Sequence, residues 1–201
     1  QLRETRDLPA THDGWSLPLG APIAVKEAVL PFTRFRTPEG RVVDSLLGPE
    51  MRSTGEVIGI DKYFDTAYAK AQDAVGGRLP TSGRVFISVA NRDKRGIITH
   101  AKRLTDMGFE LVSTGGTADV LARNGIMTET VDKITSDADS PGETILDQLE
   151  AGRVDLVVNT PSGSDARGAG YEIRAAANSL GVPLVTTLAA VGTALQAIQA
   201  K

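Results

Sequence analysis

Hydrophobic runs and amphipathic stretches alternate along the second half of the chain. Short runs rich in Val, Ile and Leu predict strands at residues 85–89, 110–113, 128–131, 155–159 and 183–186. Apolar residues at helical spacing predict helices between and after them, at residues 94–107, 117–124, 143–150, 166–180 and 189–200. This alternation predicts a doubly wound α/β domain, in which right-handed crossovers place helices on both faces of a parallel sheet.

The first half of the chain is less regular. Residues 1–22 show no sustained period and predict a linker or loop. Residues 23–32 predict a strand, and residues 63–75 predict a helix with Tyr68 on its apolar face. Because so few elements cannot bury a core of their own, residues 23–82 are interpreted as the tail of a larger domain.

A change of composition near residue 80 marks the boundary between the two halves. Gly76, Gly77 and the stretch 79–83 supply residues that interrupt regular structure. Six of the nine aromatic residues lie before this point, whereas Val, Ile, Leu, Ala and Gly dominate after it. Residues 83–201 are therefore predicted to form the compact domain.

The overall composition is that of an ordinary globular protein, with 41% hydrophobic and 23% charged residues. A net charge of -3 indicates no basic surface for nucleic acid or an anionic membrane. No apolar run approaches the roughly 20 residues of a membrane helix, and the lack of cysteine excludes disulfides and thiolate ligands. We therefore expect a cytoplasmic protein without a nucleic-acid or membrane partner.

The loop most typical of ligand binding comprises Ser113, Thr114, Gly115, Gly116 and Thr117, between a predicted strand and a predicted helix. Glycines let the backbone approach a ligand, hydroxyls donate hydrogen bonds, and a helix N-terminus favours an anion such as phosphate. The alternative is a tight turn in which Thr117 is the helix N-cap. The two interpretations are compatible, so this loop predicts an anion site without requiring one.

Two further groups of polar residues follow predicted strands. The loop after the fourth strand comprises Asn159, Thr160, Pro161, Ser162 and Gly163. A plain turn has the same composition. Lys94, near the start of the first helix of the domain, and Lys133, after the third strand, could each supply positive charge to a phosphate, although a lone lysine is usually solvated.

Candidate catalytic and metal-binding residues are few. His12 lies in the linker and His100 within a predicted helix, and neither has a partner typical of a catalytic triad or a metal site. Asp137 and Asp139 lie close together in a loop, where solvated polar residues are ordinary. We therefore predict no catalytic residue and no metal site, and the residues alone indicate an anion-binding α/β domain.

Two segments resemble one enzyme family. Residues 25–32 (VKEAVLPF) and 46–57 (LLGPEMRSTGEV) resemble the end of the second ATP-grasp half of carbamoyl-phosphate synthetase large subunits. From about residue 83 onward, the chain resembles the methylglyoxal-synthase-like domain that closes those subunits. The resemblance implies a bacterial-type allosteric domain preceded by the C-terminal end of an ATP-grasp domain.

The resemblance also implies what the intact subunit does. It makes carbamoyl phosphate from bicarbonate, ammonia and ATP, for arginine and pyrimidine biosynthesis. Its implied cofactors are ATP with Mg or Mn, and K, and its implied partners are a glutaminase small subunit and further copies of itself. The ATP-binding and metal-binding carboxylates of the family lie upstream of the matched region, so no cofactor and no catalysis are expected in this part.

The same resemblance implies a nucleotide-effector site for UMP, an inhibitor, and IMP, an activator. The contact positions of the family fall on Lys94, Thr114, Thr117, Lys133, Asn159 and Pro161. Their loops also contain Gly115, Gly116, Thr160 and Ser162. Pro161 lacks the hydroxyl group expected there, so its carbonyl group, Thr160 or Ser162 would replace that contact.

Ornithine is a second implied effector, at the seam between the synthetic and regulatory domains. By position, Glu27 would pair with an ammonium group, while Leu47 and Thr186 would line the seam. The alternative is that Glu27 bonds to the backbone or forms a surface ion pair, worth at most about 1 kcal/mol.

Two relatives of the domain offer enzymatic alternatives. Methylglyoxal synthase, a phosphate-eliminating lyase, has an aspartate followed by proline where this chain has residues 159–161. The cyclohydrolase domain of purine biosynthesis shares the Ser-Thr-Gly-Gly-Thr turn, but continues with a basic, histidine-containing segment where residues 134–143 are acidic here. A third alternative is an oligomerisation module that binds no ligand.

Overall fold

The computed structural model describes residues 20–31, 50–132, 143–161 and 170–201. The strands are β1 (Ile23–Val29), β2 (Gly55–Asp61), β3 (Arg84–Ser88), β4 (Glu110–Thr114), β5 (Glu129–Val131), β6 (Leu156–Asn159) and β7 (Leu184–Val185). The helices are α1 (Phe64–Val75), α2 (Lys94–Asp106), α3 (Gly115–Ala122), α4 (Ile145–Glu150), α5 (Tyr171–Leu180) and α6 (Leu188–Gln199). A turn of 3-10 helix, Asn91–Asp93, leads into α2.

A parallel sheet of five strands lies at the centre of the larger unit, in the order β5-β4-β3-β6-β7. The chain enters this sheet at the middle strand β3 and runs outward through β4 and β5. It then continues on the other side of β3 with β6 and β7. Such an order creates a switch point between β3 and β6, where ligands bind in many folds of this type. The predicted doubly wound parallel sheet is confirmed.

Helices cover both faces of this sheet and give it two cores. Side chains alternate along β3, so that Val85 and Ile87 face one core while Phe86 faces the other, all three without solvent exposure. Buried residues of α1, α2, α3 and α6 pack on the Val85 side, and those of α4 and α5 on the Phe86 side. Within the described ranges, no helix combines the length and the hydropathy of a membrane span.

The smaller sheet is an antiparallel pair of strands, β1 and β2, in which Val29 lies opposite Gly55. β1 lies within a predicted strand, whereas β2 lies outside all predicted elements. Gly55 and Gly59 explain why, because glycine is unfavourable in strand interiors and weakens the strand pattern.

Helix α1 lies directly on this antiparallel pair because small residues meet there. A Cβ atom at Gly59 would overlap the carbonyl oxygen of Ala67 and lie 2.6 Å from the backbone nitrogen of Ala71. Ala67 and Ala71 are themselves fully buried. Any side chain at residue 59 would therefore push α1 away from β2.

Helix α1 also joins the smaller sheet to the larger unit. Ala69 of α1 and Leu79 after it belong to the core on the Val85 side of the large sheet. At the other end of the chain, Lys201 Nζ donates hydrogen bonds to Asp73 Oδ1 at 2.9 Å and to the Leu79 carbonyl at 3.3 Å. The position of α1 is thus fixed against β2 on one side and α6 on the other.

Helices α2 and α6 pack side by side in parallel, and each places a side chain on a glycine of the other. Cδ1 of Leu188 lies 2.5 Å from the position that a Cβ atom on Gly96 would take. Cε1 of His100 lies 3.3 Å from the corresponding position on Gly192. Residues 96 and 100 of α2 therefore oppose residues 188 and 192 of α6, with the same spacing of four on both helices.

Some helix ends differ from their predicted positions. Helix α4 begins at Ile145 rather than at residue 143, because Thr144 caps it in a reciprocal arrangement. Thr144 Oγ1 accepts a hydrogen bond from the Asp147 amide at 3.3 Å, and the Asp147 carboxylate accepts one from the Thr144 amide at 2.8 Å. The predicted start of α5 at residue 166 and most of the predicted linker lie outside the described residues.

Candidate functional site

Three strands of the large sheet end side by side where the predicted loops lie. Ser88 of β3 is paired with Asn159 of β6, and Ser88 Oγ lies 3.1 Å from Thr114 Oγ1 at the end of β4. The loops after β3, β4 and β6 therefore meet at one crevice, at the switch point of the sheet. We call this crevice the sheet-edge site; it comprises residues 88–94, 114–117 and 159–161.

The interpretation of Thr117 as a helix N-cap is wrong. Helix α3 begins at Gly115, and Thr114 holds the N-cap position with an extended backbone and without a side-chain cap bond. Thr117 lies in the first turn, where its Oγ1 accepts a hydrogen bond from the Val89 amide at 3.4 Å. Thr114 and Thr117 are only 3% and 1% exposed. Both hydroxyl groups therefore form bonds inside the protein.

The first turn of α3 presents its backbone to solvent beside an ammonium group. Gly115 and Gly116 are exposed, and no atom lies within 4 Å of the position of a Cβ atom on Gly115. Lys94 Nζ lies 3.0 Å from the corresponding position on Gly116. The first amides of a helix have no partner within the helix, and the helix dipole adds partial positive charge there. This turn together with Lys94 therefore suits an anion.

The side chains at the end of β6 are held by hydrogen bonds within the protein. Asn159 Nδ2 donates to the Ser88 carbonyl at 3.1 Å, and Asn159 Oδ1 accepts from Arg174 Nη1 at 2.7 Å. Thr160 Oγ1 accepts from the Ala90 amide at 2.8 Å. Both side chains are buried. They fix the loop after β6 against the end of β3.

Sequence reasoning missed two arginines that support this crevice. Arg92 Nη2 donates to the Pro161 carbonyl at 2.9 Å, and Arg174 holds Asn159 from α5. Burial lowers the pKa of the Arg174 guanidinium below its usual value. No motif contains either arginine, because each contacts its partner only in the folded chain.

Several predicted site residues lie outside the described residues. These are Lys133 and Ser162 of the predicted nucleotide site and Leu47 of the predicted ornithine site. The same holds for His12, Asp137 and Asp139. Their roles stay predictions.

His100 lies at the contact between α2 and α6. Its Nδ1 is buried and has no hydrogen-bond partner among the described residues. Burial, and to a smaller extent the charge of Arg103, lower the pKa of this imidazole below its usual value. In the described parts of the chain, no group of three or more His, Asp or Glu side chains converges as metal ligands. The geometry places His100 in helix packing.

Glu27 and Thr186, which were predicted from different halves of the chain, line one cavity. It has a volume of about 340 Å³ and lies between β1, α1 and the segment from β7 to α6. Its other lining residues are Tyr68, Gln72, Leu79, Pro183, Leu184, Val185 and Ala190. We call this space the seam cavity.

The seam cavity has negative electrostatic character. Glu27 supplies the one carboxylate among its lining residues. Burial, and next the negative charge of Glu27, raise the pKa of the Tyr68 phenol, which is therefore neutral at physiological pH. A wider groove of about 590 Å³ shares Glu27, Pro183 and Leu184 with the seam cavity. These lining residues suit a cationic ligand rather than an anionic one.

Comparison with known proteins places this chain among named relatives. A family model for the MGS-like domain matches residues 96–186. The carbamoyl phosphate synthase large chain of Micrococcus luteus is 70% identical over 200 residues, which cover 99% of this chain and 18% of the relative. That of Paenarthrobacter aurescens is 64% identical over 194 residues, covering 96% of this chain and again 18% of the relative. Among solved structures, the methylglyoxal synthase of Elizabethkingia anophelis NUHP1 has 13% identity and a TM-score of 0.45, covering 58% of this chain and 79% of the other.

Proposed function

We propose that this chain, which over nearly its whole length is similar to carbamoyl phosphate synthase large chains, forms the effector-binding regulatory part of such a chain. The complete large chain would make carbamoyl phosphate for arginine and pyrimidine biosynthesis, using ATP with Mg or Mn, and K. Its partners would be a glutaminase small subunit and further copies of itself. The observation that carries the regulatory role is the Lys94 ammonium group beside the exposed first turn of α3.

The phosphate group of UMP or IMP would bind at that turn of α3. Its oxygens would accept hydrogen bonds from the amides of Gly115 and Gly116, and Lys94 would balance its charge. The buried hydroxyls of Thr114 and Thr117 hold the turn against β3 before any ligand arrives. Such a preformed site loses little conformational entropy on binding.

Ornithine would bind in the seam cavity. Glu27 and Thr186 both line it, as expected for a ligand contacted from both halves of the chain. The carboxylate of Glu27 would pair with an ammonium group of the ligand. Partial burial strengthens such a pair relative to one on the open surface.

Contact between α2 and α6 offers a route for coupling between the two ligand sites. Lys94 is the first residue of α2, and Thr186 lies two residues before the start of α6. The helices touch through Gly96 and Gly192. A ligand that prefers one arrangement of this helix pair would change the affinity for the second ligand. The second ligand would change the affinity for the first by the same factor.

Residues 23–82 would be the end of the ATP-grasp domain. Ile58 and Ile60 on the outer face of β2 are 60% and 53% exposed. Adjacent exposed apolar side chains mark surfaces that another element covers. The upstream part of the large chain would supply that element.

Lyase activity has little support from the crevice. At the end of β6 the chain carries the amide of Asn159, where a methylglyoxal synthase would need the carboxylate of an acid or base. That amide already bonds to Ser88 and Arg174. An effector-binding role therefore fits these residues better than catalysis.

Isothermal titration of the complete large chain with UMP and with IMP tests the nucleotide site. Lys94→Gln should weaken binding by about tenfold, which corresponds to about 1.4 kcal/mol for one charged hydrogen bond. Lys102→Gln is the matched control, because Lys102 lies on the same helix with its side chain 68% exposed, and it should change the affinity less than twofold. Absence of saturable binding of either nucleotide to the wild type at millimolar concentration would refute the proposal.

A further inference from the structure

We propose that the hydroxyl group of Tyr68 binds the ligand of the seam cavity and helps to select an amino acid that carries a terminal ammonium group on its side chain. This inference rests on the proposed binding of an amino-acid effector there. It adds a residue that neither the motifs nor the family resemblance singled out as a contact. The sequence alone places Tyr68 on the apolar face of α1, as a candidate for the core.

The position of Tyr68 is well defined by its surroundings. Its ring packs against the core on the Val85 side, and the ring centroid lies 6.3 Å from that of Phe64. Helix α1, which carries Tyr68, is fixed at Gly59 on one side and through Lys201 on the other. Tyr68 therefore lines the cavity from a rigid element, which favours precise ligand contacts.

The polar groups of the seam cavity are few and unlike one another. The apolar lining residues are Leu79, Pro183, Leu184, Val185 and Ala190. The polar lining side chains are Glu27, Tyr68, Gln72 and Thr186. Among the residues that the structure describes, neither the Glu27 carboxylate nor the Tyr68 hydroxyl group has a hydrogen-bond partner. Two oxygen-bearing groups are therefore available to a ligand in a largely apolar space.

The chemistry of these two groups defines the ligand class. An ammonium group carries three N–H donors and no acceptor. The Glu27 carboxylate supplies the opposite charge, and the neutral Tyr68 oxygen supplies a second acceptor. Glu27 and Tyr68 both line the same cavity, so a single ligand can contact both. A volume of about 340 Å³ lies at the small end of the range of ligand pockets, which suits a small aliphatic amine or amino acid.

The test uses the complete large chain and two ligands of the same carbon skeleton. Ornithine carries a terminal ammonium group, and norvaline is the same amino acid without it. Titration calorimetry should give tighter binding of ornithine than of norvaline to the wild type. Tyr68→Phe should weaken ornithine binding by about tenfold, since one hydrogen bond to a charged group is lost, and should leave norvaline binding unchanged.

Tyr63→Phe is the matched control. Tyr63 precedes α1 and is 61% exposed, so its hydroxyl group should not affect either ligand. If Tyr68→Phe weakens ornithine and norvaline equally, or leaves both unchanged, the inference about Tyr68 is overturned while the ornithine site stands. If the wild type binds no ornithine, the proposed seam site and this inference are both overturned.

Discussion

The sheet-edge site and the seam cavity use their polar side chains in opposite ways. At the sheet edge, Thr114, Thr117, Asn159 and Thr160 are buried and bonded to neighbouring strands and loops. A ligand there would meet backbone amides and the ammonium group of one lysine. In the seam cavity, the carboxylate of Glu27 stands without a hydrogen-bond partner among the described residues. A ligand there would meet side chains directly.

This difference shows that some residues of a ligand-binding motif support the shape of its loop rather than contact the ligand. The hydroxyl residues of the Ser-Thr-Gly-Gly-Thr turn support the shape of the turn, whereas the two glycines form its exposed surface. Mutations of the buried polar residues at the sheet edge should therefore change stability and binding together. Mutations in the seam cavity should change binding alone.

The largest expected effect comes from separating α1 from β2, which should disrupt the seam cavity and leave the sheet-edge site intact. Gly59→Ala should lower the free energy of unfolding by about 3 kcal/mol, because the new Cβ atom overlaps the Ala67 carbonyl. Urea unfolding of the 201-residue chain measures this loss. Gly55→Ala on the same strand is the control, since a Cβ atom there meets nothing within 4 Å. Equal stability of the two variants would show that α1 does not pack tightly on Gly59.

Next in size is the loss of the one carboxylate in the seam cavity. Glu27→Gln should weaken ornithine binding by about 100-fold, because the ligand ammonium would be left without its counter-charge. UMP binding should change less than twofold. Titration calorimetry of the complete large chain measures both, with Glu56→Gln on the neighbouring strand as the control, since Glu56 is exposed and paired with Lys26. A similar loss for the two variants would contradict a specific role for Glu27.

A smaller effect should show whether Thr117 at the sheet edge supports the fold or contacts the ligand. Thr117→Val should lower the free energy of unfolding by about 1.5 kcal/mol, because the Val89 amide loses its hydrogen-bond partner. Thr117→Ser keeps the hydroxyl group and should lose less than half as much. Chemical unfolding and UMP titration of both variants measure the two effects. A large loss of UMP affinity without any loss of stability would instead make Thr117 a direct contact.

The smallest expected effect is a pH dependence from His100, at the contact between the helices that carry the two sites. Because the pKa of His100 is lowered in the folded state, the unfolded chain takes up the proton first as the pH falls. Stability is therefore fully present above the unfolded pKa of about 6.5 and declines as the pH drops below it. Thermal unfolding of the wild type and His100→Gln between pH 7.5 and pH 5 measures this, with pH values chosen about the ordinary pKa of histidine. The variant should show the smaller decline, and parallel declines would exclude His100 as the cause.

Most of the larger unit could be predicted from the sequence because its pattern is locally consistent. The apolar run of β3 and the helical spacing of α2 each indicate their own element, and their alternation predicts the parallel sheet. β2 was missed because its two glycines contribute no side chain to a strand pattern. Gly59 allows the close approach of α1, which is a tertiary contact that a strand pattern does not reveal.

The residues of the two sites differ in the same way in how far the sequence predicts them. Lys94 and the Gly115–Gly116 turn could be singled out because their chemistry is local to two loops. Arg92, Arg174 and Tyr68 could not, because their partners are distant in sequence or face a cavity that forms only on folding. The alternative in which Thr117 is the N-cap rests on the preference of hydroxyl residues for that position, but the N-cap is Thr114, three residues earlier, and Thr117 bonds to the Val89 amide just after β3.

The reciprocal contacts between α2 and α6 have a consequence for how motion can pass through the domain. Leu188 rests on Gly96 while His100 rests on Gly192, and each pair is four residues from the other on both helices. Sliding one helix along the other would separate both pairs at once, and a shift of one helical turn, roughly 5.4 Å, would place neither Leu188 nor His100 on a glycine. We therefore expect a displacement of α2 to carry α6 with it as one unit, rather than to slide past it.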